Sequence, residues 1–173
     1  MESLLIYTLM KYLENYKMFI QPNEWSCGPS CVKMVSDYIN SENDNIENII
    51  KIGRVDNIFG ATQKRMERIL ISKKISYTLS KNLNTTEIES GLSNGFVYVI
   101  LVFLDKYPHW ILVTGVTNKK FNINDPYQGK ISLSEDELIN YFSIKKNNIY
   151  SIGSKLLVPN RIIKINTNET LNK

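Results

Sequence analysis

One histidine, His109, stands in this chain, at the head of the apolar run Trp110-Ile111-Leu112-Val113. Asp125 lies downstream, within Asn124-Asp125-Pro126-Tyr127-Gln128-Gly129. Upstream, Gln21-Pro22-Asn23-Glu24-Trp25-Ser26-Cys27-Gly28-Pro29 sets a thiol where a helix should begin, with a glutamine ahead of it. A thiol, an imidazole, a carboxylate and a side-chain amide are the groups that nucleophilic acyl chemistry requires. The thiol attacks, the imidazole takes and returns a proton, the carboxylate orients the ring, and the amide donates to the oxygen that becomes negative.

Each of these residues also has an ordinary reading. A lone cysteine is more often a small buried hydrophobe than a nucleophile. At a helix N-terminus, however, unpaired N–H groups and the helix dipole favour a thiolate, and Cys27 is placed for that. His109 could be a loop histidine in Tyr107-Pro108-His109-Trp110, but the apolar run that follows sets it at the start of a strand. Asp125 alone would be a turn aspartate, and Gln21 alone a surface glutamine. Cys31, one helical turn after Cys27, reads as a packed core thiol. With a single histidine, a closed zinc site or other metal cofactor is not expected.

Hairpin geometry constrains the pairing of His109 with Asp125. If Val116-Thr117-Asn118 forms a three-residue loop, Gly115 faces Lys119 and His109 faces Asp125 on one side of the sheet. A two-residue loop would put them on opposite faces. An odd-numbered loop or a bulge is therefore expected.

These side chains need elements to hold them. Leu5, Leu9, Tyr12, Leu13 and Tyr16 recur at helical spacing, which predicts an amphipathic helix over 3–17. A second helix is expected from Cys27 to about Asn40, with Pro29 confined to its first turn. Ile46, Ile49 and Ile50 suggest a short helix, then a loop over 53–60 and a helix from Thr62 with Met66, Ile69 and Leu70 inward. Ile75, Tyr77 and Leu79 alternate as a strand. Thr86 and Glu89 have capping-box spacing, which predicts a helix over 86–93 closed by Asn94-Gly95. Strands follow at about 96–104, 109–116 and 119–125, and the turn Asp125–Gly129 leads to Lys130–Leu133. A second capping box, Ser134 with Glu137, starts a helix through Phe142, and a last strand falls at 156–158 or 161–165. This order predicts one α+β domain over 1–166 with a disordered polar tail at 167–173.

Composition agrees with a soluble globular protein: 173 residues, 43% hydrophobic and 22% charged. A net charge of +4, with its basic residues scattered, gives no reason to expect a nucleic-acid partner. No segment approaches the ~20 apolar residues of a membrane span. Residues 1–10 lack the basic start and cleavage site of a signal peptide. Two cysteines four apart do not make a disulfide framework, so a reducing, cytoplasmic setting is expected. No Gly-rich phosphate loop is present.

With these residues in place, roughly residues 18–142 resemble the papain-like bacteriocin-processing cysteine peptidases, which cut double-glycine leader peptides, and stand-alone domains similar to them. Gln21 through Pro29, Gly60-Ala61-Thr62, Asn94-Gly95, His109 through Val116 and Asn124 through Gly129 carry the resemblance. It implies a papain-like fold, with a helical half bearing the nucleophile and an antiparallel sheet opposite. Cys27 would be nucleophile, His109 general base, Asp125 its orienting partner and Gln21 the oxyanion-hole donor, without a cofactor. The expected partner is a peptide or protein substrate. Other thiol enzymes use the same thioester for deamidation, amide hydrolysis or acyl transfer, and such a domain can also bind a peptide without cutting it. A free-standing cysteine peptidase working through a thioester is the first reading, with the other two as alternatives, and the intact Cys27, His109, Asp125 and Gln21 argue against a pure binding module.

Overall fold

A computed structural model describes residues 16–40, 43–81, 83–104, 107–142 and 161–168. Of the expected helix over 3–17, only Tyr16 and Lys17 fall within these ranges, and neither is helical. The first described helix, α1 (Cys27–Asn40), starts at the thiol and is buried along its first ten residues. That apolar surround makes Lys33 an anomaly, settled by hydrogen bonds from its ammonium to Asp37 Oδ2 at 2.8 Å and to the Asp44 carbonyl. A buried charge is tolerated only with such partners.

Helix α2 (Ile46–Gly53) is opened by Asn45, which accepts the Glu47 N–H, and closed by Arg54 in the left-handed region. Helix α3 (Gln63–Ser72) buries Met66, Ile69 and Leu70, the stripe its spacing predicts. Between them, Asp56 pairs with Gly60, and the Asp56 carboxylate accepts the Ile58 and Phe59 N–H groups. The loop is thus closed on itself.

The sheet contains β1 (Tyr77–Ser80), β2 (Phe96–Leu104), β3 (Tyr107–Thr117), β4 (Lys120–Asp125), β5 (Gly129–Leu133) and β6 (Ile162–Asn166), with α4 (Thr85–Ser93) after β1 and α5 (Glu135–Phe142) after β5. Strand order is β1-β6-β2-β3-β4-β5 and every pairing is antiparallel. Of the two segments offered for the last strand, the later one forms it, and 156–158 lies outside the described residues. Ile75 precedes β1 because its N–H still bonds to Leu70 at the end of α3.

The cap of α4 lies two residues before the one expected. Asn84, not Thr86, is the cap, and its side chain and Glu87 satisfy each other's backbone N–H groups. Asparagine caps at least as well as threonine, and Asn84 and Glu87 have the same spacing. Chain expected in the tail is also docked: Thr167 is buried and donates through both N–H and Oγ1 to the Gly95 carbonyl.

Both faces of the central strands are covered, which is why β2 reads as an unbroken apolar run. Val99, Leu101, Trp110, Leu112 and Ile163 pack against α1, α2 and α3. Tyr98, Ile100, Ile111, Val113 and Ile123 pack under Ile88 of α4 and Leu138 of α5. Each such side chain contributes on the order of 1.5–3 kcal/mol when fully buried. Among the described residues, no helix is long and apolar enough to cross a membrane.

Candidate active site

The turn before α1 is built around one carbonyl. Asn23 O accepts the Ser26 N–H at 3.4 Å, Ser26 Oγ at 3.1 Å and Gln21 Nε2 at 2.8 Å. The Ser30 N–H returns to Ser26 O at 3.0 Å, so Ser26 caps the helix and Cys27 is its first residue. Helix geometry leaves the Cys27 and Gly28 N–H groups without intrahelical partners, and Pro29 has none to offer. Two donors therefore stand beside the thiol.

Gly28 explains how closely α1 lies to its neighbours. A Cβ there would sit 2.5 Å from Ala61 Cβ, 2.5 Å from Met66 Sδ and 3.1 Å from Trp110 Cδ1. The same three elements are joined by polar contacts. Trp110 Nε1 donates to the Ala61 carbonyl at 2.6 Å, and Cys31 Sγ approaches the Trp110 carbonyl at 3.5 Å. Burial, followed by the charges of Cys27 and Asp125, pushes the Cys31 thiol well above the usual thiol range. That makes Cys31 a packing residue, as its spacing suggested.

His109 begins the inner part of β3 opposite Val102 of β2, and its Nε2 lies 2.7 Å from Asp125 Oδ1. Of the odd-numbered loop or bulge expected between β3 and β4, the bulge is the one that forms. Thr117 faces Lys120 across a two-residue turn, with Asn118 and Lys119 both at positive φ, the conformation of a type I′ hairpin. The ladder then slips between Val113 and Gly115, leaving Thr114 as an extra residue, so that Leu112 faces Asn124. Continuing that register puts Asp125 beside Ile111, one diagonal step from His109 on the same face. The bulge, not the loop, sets the parity, and His109 meets Asp125 diagonally.

Asp125 ends β4 opposite Gly129 and is fully buried. Its Oδ1 also accepts the Tyr127 N–H at 2.7 Å and the Gln128 N–H at 3.2 Å, while Oδ2 accepts Gln128 Nε2 at 3.0 Å. Desolvation would raise its pKa, but the His109 hydrogen bond and charge and the two backbone donors hold it below the usual carboxylate range. For His109, desolvation would lower the pKa. Hydrogen bonds to Asp125 and Cys27, and the charges on both, outweigh it and raise the imidazole to about 9. With Nε2 committed to Asp125, Nδ1 is the ring atom left for the thiol.

Gln21 sits where the two halves meet, its N–H bonded to the Pro126 carbonyl at 2.9 Å. Its amide nitrogen uses one hydrogen on Asn23 O, and an NH₂ group carries a second. Its Oε1 is buried with no hydrogen-bond partner among the described residues. All four residues singled out in the sequence thus lie on elements joined directly to one another. The sequence reading did not single out Gln128, whose signal is an amide three positions after an Asx-turn aspartate, or Thr114, whose signal is visible only in the register. Among the described residues, no cluster of three or more His, Cys, Asp or Glu side chains could hold a metal ion. The arrangement can hold a thiol and an imidazole as a proton-sharing pair, with a fixed anion behind the ring.

Comparison with known proteins agrees with this geometry. The peptidase C39 family model matches residues 15–147. The peptidase domain of Streptococcus ComA, a bifunctional ABC transporter of a quorum-sensing pathway, superposes with a TM-score of 0.67 at 16% identity, over 87% of this chain and 98% of that one. A double-glycine-motif protease from an AMS/PCAT transporter, in complex with a leader peptide, gives 0.62 at 14% identity over 87% and 91%. A C39-like protein from Bacillus anthracis gives 0.64 at 10% identity over 88% and 95%. No curated protein sequence matches. The α+β fold expected from the sequence is the one found, and these peptidase domains share it. With three-quarters of its residues under the family model, the chain belongs to the peptidase C39 family and is a cysteine peptidase.

Proposed function

We propose that the chain hydrolyses a peptide bond through a thioester on Cys27, with His109, Asp125 and Gln21 as its working partners. The observation that carries this reading is the 2.7 Å contact of His109 Nε2 with the buried Asp125, on a ring whose pKa is raised by Asp125 and by Cys27, the first residue of α1. In the first half-reaction Cys27 Sγ attacks the scissile carbonyl carbon while the imidazolium of His109 protonates the departing amine. The C–N bond breaks and a thioester remains. In the second, neutral His109 takes a proton from water, the hydroxide oxygen attacks the thioester carbon, and Cys27 leaves as thiolate with an acid product. The second hydrogen of Gln21 Nε2 and the Cys27 N–H would donate to the carbonyl oxygen as it becomes negative. Asp125 holds the ring and its positive charge throughout.

The substrate read here is a leader peptide cut after small residues, by analogy with the transporter protease bound to its leader. Cys27 and His109 are only 5% and 6% exposed, so an approaching chain must be slim beside the scissile bond. Glycines satisfy that condition. The test is incubation with a peptide containing a double glycine, followed by mass spectrometry of wild type and Cys27→Ala. Two complementary fragments with wild type alone are expected. A gain of ~1 Da on an intact peptide, the replacement of a neutral amide by an acid, would instead assign deamidation. Binding without any mass change would assign a peptide-binding module.

A further inference from the structure

Asp125 is fully buried, yet Gln128, which reaches its second oxygen, is exposed. The two backbone donors and the imidazole all bond to Oδ1, so they leave the carboxylate free to pivot about that atom. Gln128 Nε2, at 3.0 Å from Oδ2, is the side-chain contact that opposes the pivot. Covering Oδ2 from outside also keeps water from competing for the His109–Asp125 hydrogen bond, which is stronger in a dry site.

We propose that Gln128 is a positioning residue for the Cys27–His109 pair, acting by hydrogen-bond donation to Asp125 Oδ2. The proposal rests on the reading of Cys27, His109 and Asp125 given above. Gln128 touches neither the thiol nor a substrate atom. Its effect passes through the plane of the Asp125 carboxylate to the plane of the His109 ring. Because the side chain is exposed, its replacement leaves no cavity, and the substituted proteins are expected to fold.

The experiment follows alkylation of Cys27 by iodoacetamide against pH in the full chain, with thermal unfolding as the check on folding. Gln128→Ala and Gln128→Met both remove the donor, the second while keeping length and cover. Both should slow alkylation about tenfold, by analogy with the loss of an outer hydrogen-bond partner of a metal-ligating histidine. Gln128→Glu supplies the distinctive signature. Above its own pKa, the introduced carboxylate presents a second anion to Asp125, and this variant should label as slowly as the alanine variant. Near pH 4, where a glutamic acid is largely protonated, its O–H can donate to Oδ2 and the rate should return toward wild type. Three variants with wild-type rates and profiles would overturn the proposal, as would a fast Gln128→Met, which would show that cover alone suffices. Wild-type labelling indifferent to His109→Ala would instead bring down the underlying reading of the pair, and this proposal with it.

Discussion

His109 and Asp125 share a face of the sheet because Thr114 is one residue too many for the β3–β4 ladder. The type I′ turn at Asn118-Lys119 fixes a register in which they would point apart, and the bulge reverses it. Strand register has a period of two, so one residue is enough to flip every side chain beyond it. Deleting Thr114 should therefore close the ladder with Leu112 still opposite Asn124, so that His109 stays on the face of Asp125. Cys27 alkylation should stay well above the level of His109→Ala, with circular dichroism reporting a folded α+β protein. A fall to the His109→Ala level would show that the pairing needs Thr114 itself and not only the register beyond it.

Asp125→Asn should leave the turn at 125–129 largely intact, since the side-chain oxygen can still accept from the Tyr127 and Gln128 N–H groups. What it removes is the negative charge that holds the imidazolium. Peptide cleavage should fall by roughly 10²–10⁴, the usual span for a lost contribution to proton transfer, with KM little changed. A fall confined to KM would place Asp125 in substrate binding instead.

The raised pKa of His109 has two consequences in pH. As the imidazolium must protonate the leaving amine, kcat/KM should decline on the alkaline side with a midpoint of about 9. For stability, the folded value lies above the ~6.5 of an unfolded histidine. The His109 contribution is thus complete below about 6.5 and lost as pH rises through about 9. Asp125 acts in the opposite direction: its folded pKa is depressed, so its contribution is present above ~3.9 and lost as pH falls through the folded value. Urea midpoints of wild type and His109→Ala should converge between about pH 6.5 and 10. A gap independent of pH would mean that the imidazole is not held charged.

Gly28 has no positive φ to justify it; space alone does. Gly28→Ala drives a methyl into Ala61 and Met66 at 2.5 Å. Overpacking of this kind costs about 1–3 kcal/mol, or roughly 3–10 °C in Tm for a domain of this size. The shift should displace the first turn of α1 and slow Cys27 labelling as well. An unchanged Tm would show that the contact between α1 and the Ala61 loop yields freely.

Much of this was legible in the residues. Cys27 at a helix start, His109 at a strand start and Asp125 in an Asp-Pro turn follow from local chemistry: where proline is tolerated, where apolar runs begin, which residues turn the chain. The sheet came through for the same reason, as two-sided burial makes its central strands continuous apolar runs. What escaped depended on more than one strand or on competition between equivalent signals. Asn84 and Thr86 both offer a capping oxygen with glutamate three residues on, and only packing chooses between them. A bulge was one of the two ways expected to bring His109 and Asp125 together, but its place at Thr114 is invisible in one strand, because Thr-Gly within an apolar run fits a regular strand equally well. Gln128 was not singled out because only the folded structure brings the buried Oδ2 of Asp125 within reach of its amide.

The central claim is that Cys27 and His109 work as one reactive pair. The most direct measurement is the rate of Cys27 alkylation from about pH 5 to 10, a range that spans the ordinary and the raised histidine pKa, in wild type and His109→Ala, with the modified residue located by mass spectrometry. The account predicts rapid labelling of Cys27 near neutral pH, with Cys31 untouched, and a marked slowing without His109. Slow labelling of Cys27 that is the same in both proteins would contradict it.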